Sequence, residues 1–289
     1  MPKKELVFVL GMGRSGTSLL TRVLSLCGAS LPDRLFGPAE GNPTGHWEPL
    51  AALELNEAFL ARFQSSWYDP TFRLQDEGAI AGPERESFVG QIYDFLLSCP
   101  AASLLVVKEP RITALFEFWR DAATRAGFTV KIAIPIRHPR EVAASLAARD
   151  GVSPELSDVL WLKYNLLAER NSRSFPRVFV DYPRLVKDWR AEVTRIITSL
   201  ALPSAQPDEA SIGAFVTAEL YHQRAEERPG AHAGSAWLGD VYAALSAATG
   251  DEFFDARVLD DVFRALRGSE HLFRTAVDEF HERFQVRPG

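Results

Sequence analysis

Four short apolar runs, each followed by a stretch with helical spacing, constrain the fold of this chain more than any other feature. Apolar residues are continuous in these runs rather than alternating, which is typical of strands covered on both faces. A strand followed by a helix, repeated four times, predicts an α/β fold with a parallel sheet flanked by helices on both faces. Ligands of such folds bind beyond the carboxyl ends of the strands. The runs cover residues 6–10, 104–107, 130–136 and 178–180.

Residues with known preferences at helix ends support this pattern. The apolar residues after Gly16 recur at helical spacing as far as Cys27, and Gly28 lies where a C-terminal cap belongs. Pro139, just after the third run, is in a favoured first helical position. After the fourth run, the apolar residues between 185 and 200 predict one continuous helix.

The chain between the first two strand–helix units departs from this alternation of strand and helix. It contains a turn-rich loop at 37–45 and two helical patterns, near 50–64 and 84–97. After about residue 205 the sequence indicates loops and helices, and the glycines and proline of 229–234 predict a mobile loop.

No composition shift marks a domain boundary, although the length of 289 residues is compatible with two domains. We therefore predict a single domain over residues 1–289. Its nucleotide-binding core is expected at 5–200 and a helical cover at 205–289.

The charge balance limits the partners of this chain. The sequence has 38 acidic and 32 basic residues, a formal net charge of −6. This balance argues against nucleic acid and anionic lipid as partners, because broad binding to either needs an excess of basic residues. Any anion site is therefore expected to be local.

The two cysteines and the first apolar run bear on location. Cys27 and Cys99 are too few for a disulfide framework and lack the spacing of metal ligands, which predicts reduced thiols in a cytoplasmic protein. The run at 6–10 is too short for the core of a signal peptide or for a membrane span. We therefore predict no transmembrane segment.

The loop after the first run, GMGRSGTS at residues 11–18, matches two phosphate-binding templates. A dinucleotide fingerprint needs a second strand that ends in an acid, and the residues around Asp33 offer no strand. An ATP-binding loop needs a lysine where this chain has Thr17. Although neither template fits fully, the loop still has the groups of an anion site: main-chain N–H groups at a helix N-terminus, with Arg14 and three hydroxyls nearby. A glycine turn without a ligand does not explain the arginine and the hydroxyls.

A second motif follows the third predicted strand. Arg137 lies at the strand end, and Ser145 lies eight residues later, two turns into the next helix. A guanidinium fork together with a hydroxyl suits a phosphate dianion. The alternative is that Arg137 pairs with an acid and Ser145 faces solvent.

Together the two motifs resemble sulfotransferases that use 3′-phosphoadenosine 5′-phosphosulfate (PAPS), especially the bacterial and tyrosylprotein branches. The R-S-G-T of residues 14–17 is similar to their 5′-phosphosulfate loop, and Arg137 and Ser145 are similar to the pair that holds the 3′-phosphate. The resemblance covers residues 6–200 and implies a P-loop-like fold, with PAPS as co-substrate and 3′,5′-adenosine diphosphate as product. The loop residues that it assigns to the co-substrate are Gly13, Arg14, Ser15, Gly16, Thr17 and Ser18.

Two further strand ends resemble the family less closely. The segment around Tyr182 is similar to the family's fourth strand and implies that this tyrosine lies near the nucleotide, but Pro183 replaces the usual acid and a packing role is the alternative. The V-V-K-E-P-R that ends at Arg111 resembles the K-D-P segment, whose lysine approaches the transferring group. Lys108 is thereby implied as a catalytic cation, with Arg111 and Glu109 as weaker candidates.

The general base is sought in the loop before the first inserted helix. Residues 42–48, NPTGHWE, resemble the N-P-x-G-[YFHW]-x-E segment of bacterial members, which implies Glu48 as the base, with His46 as its rival. The alternative for Glu48 is an acid that stabilises the N-terminus of the following helix.

The sequence therefore predicts a PAPS-dependent sulfotransferase that sulfates a hydroxyl or an amine. Glu48, Lys108 and Arg14 are the expected catalytic residues, and no metal is expected, because a sulfuryl group carries less charge than a phosphoryl group. The acceptor class is open among carbohydrate, lipid and small metabolite, and so is the oligomeric state. The competing hypotheses are a P-loop kinase or NTPase with a degenerate loop and a nucleotide-sensing module without turnover.

Overall fold

The structure, a computed structural model, describes residues 4–39, 42–217, 235–250 and 255–284. The mobile loop predicted at 229–234 lies outside these ranges. The strands are β1 (Lys4–Val9), β2 (Leu35–Phe36), β3 (Glu48–Pro49), β4 (Leu104–Val107), β5 (Phe128–Ile136) and β6 (Arg177–Asp181). The helices are α1 (Thr17–Leu26), α2 (Leu50–Arg62), α3 (Gly82–Ser98), α4 (Phe116–Arg125), α5 (Pro139–Asp150), α6 (Pro154–Ser172), α7 (Tyr182–Lys187), α8 (Trp189–Ser199), α9 (Glu209–Phe215), α10 (Ser235–Thr249) and α11 (Ala256–Phe284).

Four of the strands form one parallel sheet in the order β4-β1-β5-β6. These are the four predicted strands; β4 has the predicted bounds, and each end of the other three differs from the prediction by at most two residues. The α/β fold with a parallel sheet is thereby confirmed. β2 and β3 form a separate antiparallel pair within the insertion.

Both faces of the sheet are covered, which explains why its strands are apolar without alternation. In β1, Leu6 and Phe8 contact one hydrophobic cluster, whereas Val7 and Val9 contact the other, and all four are buried. The first cluster includes residues of α2 to α6, α10 and α11. The second includes residues of α1 and α7 to α9.

One predicted helix is wrong in its extent. The region 185–200 contains two helices, α7 and α8, rather than one. Asp188 separates them with φ −139° and ψ 66°, and its side chain accepts a hydrogen bond from Ala191 N at 3.3 Å. Aspartate is among the best N-cap residues, so it starts a second helix where the apolar spacing alone predicts continuity.

Helix α6 was not singled out by periodicity, and its burial explains why. Ser153 caps it and Pro154 occupies its first turn, but most of its residues from Leu160 to Glu169 are buried on every side of the helix. A helix buried all round carries no amphipathic pattern. Within the described ranges, no helix is long and apolar enough to cross a membrane.

The sheet topology positions the candidate site. Because β4, β1, β5 and β6 are adjacent and parallel, the segments that follow them meet at one edge. β1 is followed by the glycine loop and α1, β4 by a 3₁₀ turn at Pro110–Thr113, β5 by α5, and β6 by α7.

Candidate functional site

The glycine loop between β1 and α1 is shaped by positions that only glycine can occupy. Gly16 precedes α1 with φ +94°, and a Cβ there would lie 2.2 Å from the Tyr182 ring. A Cβ at Gly13 would lie 2.6 Å from the Trp67 ring. Two aromatic side chains therefore pack directly on the loop backbone, and any larger residue at either glycine would displace them.

Ser15, within this loop, is fully buried, and its hydroxyl has no hydrogen-bond partner among the described residues. A buried hydroxyl without a partner is costly and calls for a ligand or a water. It lies two residues before the start of α1, where the unsatisfied N–H groups and the helix dipole favour an anion. The loop therefore has the donors of an anion site.

A cleft of about 290 Å³ opens beside this loop. Part of its wall comes from Asn42 and Thr44 of the insertion and from Arg149 of α5. Gly13 and Ser15 do not line it, because Trp67 covers the first and the second is buried. The predicted residues that it brings together are Arg14, Gly16, Thr17, Ser18, Arg137, Ser145 and Tyr182.

The two predicted anion motifs contact each other in this cleft. Arg14 Nε donates to Ser145 Oγ at 2.9 Å, and an Arg137 guanidinium nitrogen donates to the Arg14 carbonyl at 3.2 Å. Burial lowers the pKa of Arg14, and the positive charges of Arg149 and Arg137 add to this effect. Three arginines that repel one another at one cleft form a strong site for an anion of high charge.

Arg137 combines both of the roles considered for it. Its Nε donates to Glu141 Oε2 at 2.8 Å, so it pairs with an acid, yet it also lines the cleft. Ser145 is buried and bonded to Arg14 instead of facing solvent. Tyr182 likewise packs, with its ring 4.5 Å from the Arg137 guanidinium carbon, and lines the cleft as well.

Lys108 lies behind the cleft and is almost completely buried. Its Nζ donates to Ser18 Oγ at 3.0 Å, to the His46 carbonyl at 2.6 Å and to Glu48 Oε1 at 2.6 Å. Burial lowers the pKa of this lysine, and the Glu48 carboxylate opposes the shift. All three protons of the ammonium group are engaged, and the bond to Ser18 links Lys108 to the cleft wall.

The two candidates for the base lie together beside this lysine. Glu48 belongs to β3, one residue before the N-cap of α2, and its carboxylate pairs with Lys108 across 60 positions of sequence. His46 Nδ1 is 4.0 Å from Glu48 Oε1, and its ring stacks on Phe36 with centroids 4.4 Å apart. Burial lowers the pKa of His46, which keeps it neutral near pH 7. Both side chains are buried, and neither lines the cleft.

Glu109 and Arg111, the weaker candidates, belong to a buried network. Glu109 accepts a hydrogen bond from Asn56 Nδ2 at 2.6 Å and pairs with Arg111, which also pairs with Glu57 of α2. Asn56 in turn accepts from Trp119 Nε1 at 3.0 Å. Burial raises the pKa of Glu109 to about 7. The network ties the turn after β4 to α2 and α4, and neither Glu109 nor Arg111 lines the cleft.

Sequence reasoning missed Arg149. It lines the cleft, pairs with Asp150 at 2.6 Å and bonds to Tyr68 from the insertion. A signal was present, because Arg149 follows Ser145 by four residues on a predicted helix and therefore shares its face. Among the described residues, no group of three or more His, Cys, Asp or Glu side chains is placed to hold a metal ion.

Comparisons with known proteins gave structural matches. No protein-family model and no curated protein matches the chain. The sulfotransferase domain of the olefin synthase from Synechococcus PCC 7002 is similar at 18% identity and a TM-score of 0.48, over 84% of this chain and 96% of that one. The sulfotransferase domain from the curacin biosynthetic pathway is similar at 16% identity and a TM-score of 0.44, over 88% and 100%. The sulfotransferase STF1 from Mycobacterium tuberculosis H37Rv is similar at 14% identity and a TM-score of 0.45, over 83% and 77%.

Proposed function

We propose that this chain transfers a sulfuryl group from PAPS to a hydroxyl or amine of a small-molecule, glycan or lipid acceptor. One observation carries the proposal: Arg14, Ser145 and Arg137 come from the ends of two adjacent strands and contact one another in a single cleft beside an anion-binding loop. A ligand with anionic groups at both ends of an adenosine matches this arrangement.

The 5′-phosphosulfate is assigned to the glycine loop. The N-terminus of α1 and the hydroxyls of Thr17 and Ser18, which line the cleft, supply donors for its oxygens. Arg14 adds a positive charge from the same loop.

The 3′-phosphate is assigned to the part of the cleft wall that follows β5. Arg137 and Ser145 supply a guanidinium fork and a hydroxyl, and Arg149 adds a charge from the next turn of α5. This group separates PAPS from ATP, so the three side chains are expected to determine nucleotide selectivity.

In the chemical step, the acceptor oxygen or nitrogen forms a bond to sulfur while the bond from sulfur to the bridging oxygen breaks. The electron pair of the broken bond stays on the 5′-phosphate of 3′,5′-adenosine diphosphate, and Glu48 takes the acceptor proton. Lys108 stabilises the charge that develops on the bridging oxygen. The three protons of the Lys108 ammonium group are all engaged, so Lys108 must exchange one hydrogen bond for a bond to the bridging oxygen. The bond to Ser18 is the one that reaches the cleft wall.

Calorimetry and a labelled donor test the proposal. We expect tight binding of 3′,5′-adenosine diphosphate, no binding of Mg-ATP, and transfer of label from [³⁵S]PAPS to a member of a carbohydrate, lipid or small-metabolite panel. Preference for Mg-ATP would overturn the proposal and favour the kinase or NTPase. Nucleotide binding without transfer to any acceptor would contradict the enzymatic part and favour a sensing module.

A further inference from the structure

The 3₁₀ turn Pro110–Thr113 touches the first residue of the glycine loop. Gly11 N donates to Thr113 Oγ1 at 2.9 Å, and Thr113 Oγ1 lies 3.3 Å from the Gly11 carbonyl, to which it donates. Thr113 is completely buried. One hydroxyl therefore serves both the N–H and the C=O of a single loop residue.

Gly11 is a residue whose conformation needs such a restraint. Its φ is +118°, in a region that glycine enters freely and other residues avoid. Because glycine loses more conformational freedom on folding than any other residue, a contact that restrains Gly11 reduces the freedom of the first residue of the loop. No other residue of the turn makes a hydrogen bond to Gly11 among those described.

The turn itself is well anchored. The Glu109 side chain accepts from Arg111 N at 3.1 Å, which caps the turn, and it also accepts from Asn56. At the far end, Asn171 Nδ2 of α6 donates to the Thr113 carbonyl at 3.1 Å. A turn held at both ends can act as a fixed support for the loop.

The same segment also reaches the other end of the loop. Lys108, just before the turn, donates to Ser18 Oγ, while Thr113 holds Gly11. Residues 108–113 therefore contact both ends of the segment 11–18. These contacts fix the position of the proposed catalytic cation relative to the anion loop.

We propose that Thr113 is a positioning residue for the 5′-phosphosulfate loop, an inference that rests on the proposed function. Its hydroxyl holds the Gly11 peptide so that the later loop amides point at the anion. Replacing the hydroxyl with a methyl group leaves the buried Gly11 N–H without this partner. It also removes a restraint on the first residue of the loop.

The test compares two nucleotides in Thr113→Val, Thr113→Ser and the wild type. Valine keeps the shape and removes the hydroxyl, whereas serine keeps the hydroxyl. We expect Thr113→Val to weaken binding of 3′,5′-adenosine diphosphate about tenfold, the size of one buried hydrogen bond. Binding of adenosine 3′-monophosphate, which lacks the 5′ group, should be unchanged, and Thr113→Ser should match the wild type for both ligands.

Controls separate this inference from the proposed function and from loss of folding. Thr124→Val changes an exposed threonine whose hydroxyl donates to the Arg120 carbonyl of its own helix, and it should bind both nucleotides as the wild type does. Equal affinities of Thr113→Val and wild type for both ligands, or equal losses for both, would overturn the role of Thr113. If the wild type binds neither nucleotide, the proposed function fails instead. If Thr113→Val shows no cooperative unfolding transition, Thr113→Ser decides: wild-type affinity supports the role, and a tenfold loss overturns it.

Discussion

The two halves of the candidate site differ in burial and in charge. The cleft is lined by three arginines, Arg14, Arg137 and Arg149, of which the last two pair with Glu141 and Asp150. Behind the cleft, Lys108 and Glu48 form a buried ion pair with no net charge. In the proposed function, this difference assigns nucleotide affinity and chemical transfer to separate groups, which are joined through the bond from Lys108 to Ser18. Substitutions in one half should therefore leave the function of the other largely intact.

The largest expected effect is on turnover. Glu48→Gln keeps a hydrogen-bond acceptor for Lys108 but removes the proposed base, so kcat should fall by about 10²- to 10⁴-fold. Binding of 3′,5′-adenosine diphosphate, measured by calorimetry, should change little.

Glu57→Gln, the same substitution at an exposed position of α2, is the matched control and should keep wild-type kcat. Full activity of Glu48→Gln would remove the base assignment. A large loss of nucleotide affinity in Glu48→Gln would break the separation of the two halves.

The next effect is on nucleotide affinity. Arg137→Ala removes a guanidinium that lines the cleft, and we expect affinity for 3′,5′-adenosine diphosphate to fall by about 3 kcal/mol, roughly a hundredfold. Affinity for adenosine 5′-monophosphate, which lacks the 3′-phosphate, should change far less. Calorimetry with both ligands measures the difference.

The substitution leaves Glu141 buried without its arginine, so Arg137→Ala/Glu141→Gln serves as a second variant with both charges removed. Arg190→Ala, at an exposed position of α8, is the control. Equal losses for the two nucleotides would contradict the assignment of Arg137 to the 3′-phosphate.

The buried half should also confer a pH dependence on stability. Burial lowers the pKa of His46, so below about pH 6.5 the unfolded chain binds a proton that the folded chain resists, and stability falls as pH falls. Burial lowers the pKa of His138 in the same direction. One histidine contributes a slope of at most about 1.4 kcal/mol per pH unit.

Chemical denaturation between pH 5 and 7.5, roughly one unit or more on each side of the histidine pKa, measures this slope. His46→Gln should flatten it, because the substitution removes a group that the folded chain keeps neutral. Identical pH profiles for His46→Gln and wild type would show that His46 protonates freely in the folded chain. Retention of kcat in His46→Gln would favour Glu48 over His46 as the base.

The smallest effect is expected at Arg149. This arginine lines the cleft but is already paired with Asp150, so Arg149→Ala should weaken binding of 3′,5′-adenosine diphosphate by about 1 kcal/mol, roughly fivefold. The loss should shrink at high salt, because the group is partly exposed. An effect as large as that of Arg137→Ala would show that Arg149 contacts the phosphate directly.

Much of the fold could be predicted from local pattern, and the exceptions have physical causes. The four strands and α5 were predicted close to their observed bounds, because continuous apolar runs and a first-turn proline are local signals. Helix α6 was not, because a helix buried on all sides lacks the amphipathic period. The break at Asp188 was missed because the apolar spacing continues through it and only the capping geometry reveals it.

The candidate site was also predictable only in part. Arg14, Lys108 and Arg137 were predicted to converge because they follow three strands of one parallel sheet. The structure places Arg14 and Arg137 at one cleft, whereas Lys108 lies behind it and contacts its wall through Ser18. The contacts of Glu109 and Arg111 with α2 were not predictable, since their partners Asn56 and Glu57 lie 53 and 54 positions away in sequence.

The sequence by itself determined the parallel sheet, the glycine loop and the edge at which the cationic side chains gather. Strand period, glycine conformation and the shared direction of parallel strands are properties of short segments and of simple topology. Only the tertiary structure decided that Lys108 pairs with Glu48, that Arg14 bonds to Ser145, and that Thr113 holds Gly11. Those contacts join residues 60, 131 and 102 positions apart, and such pairs meet only when the insertion, the helices and the sheet are packed together.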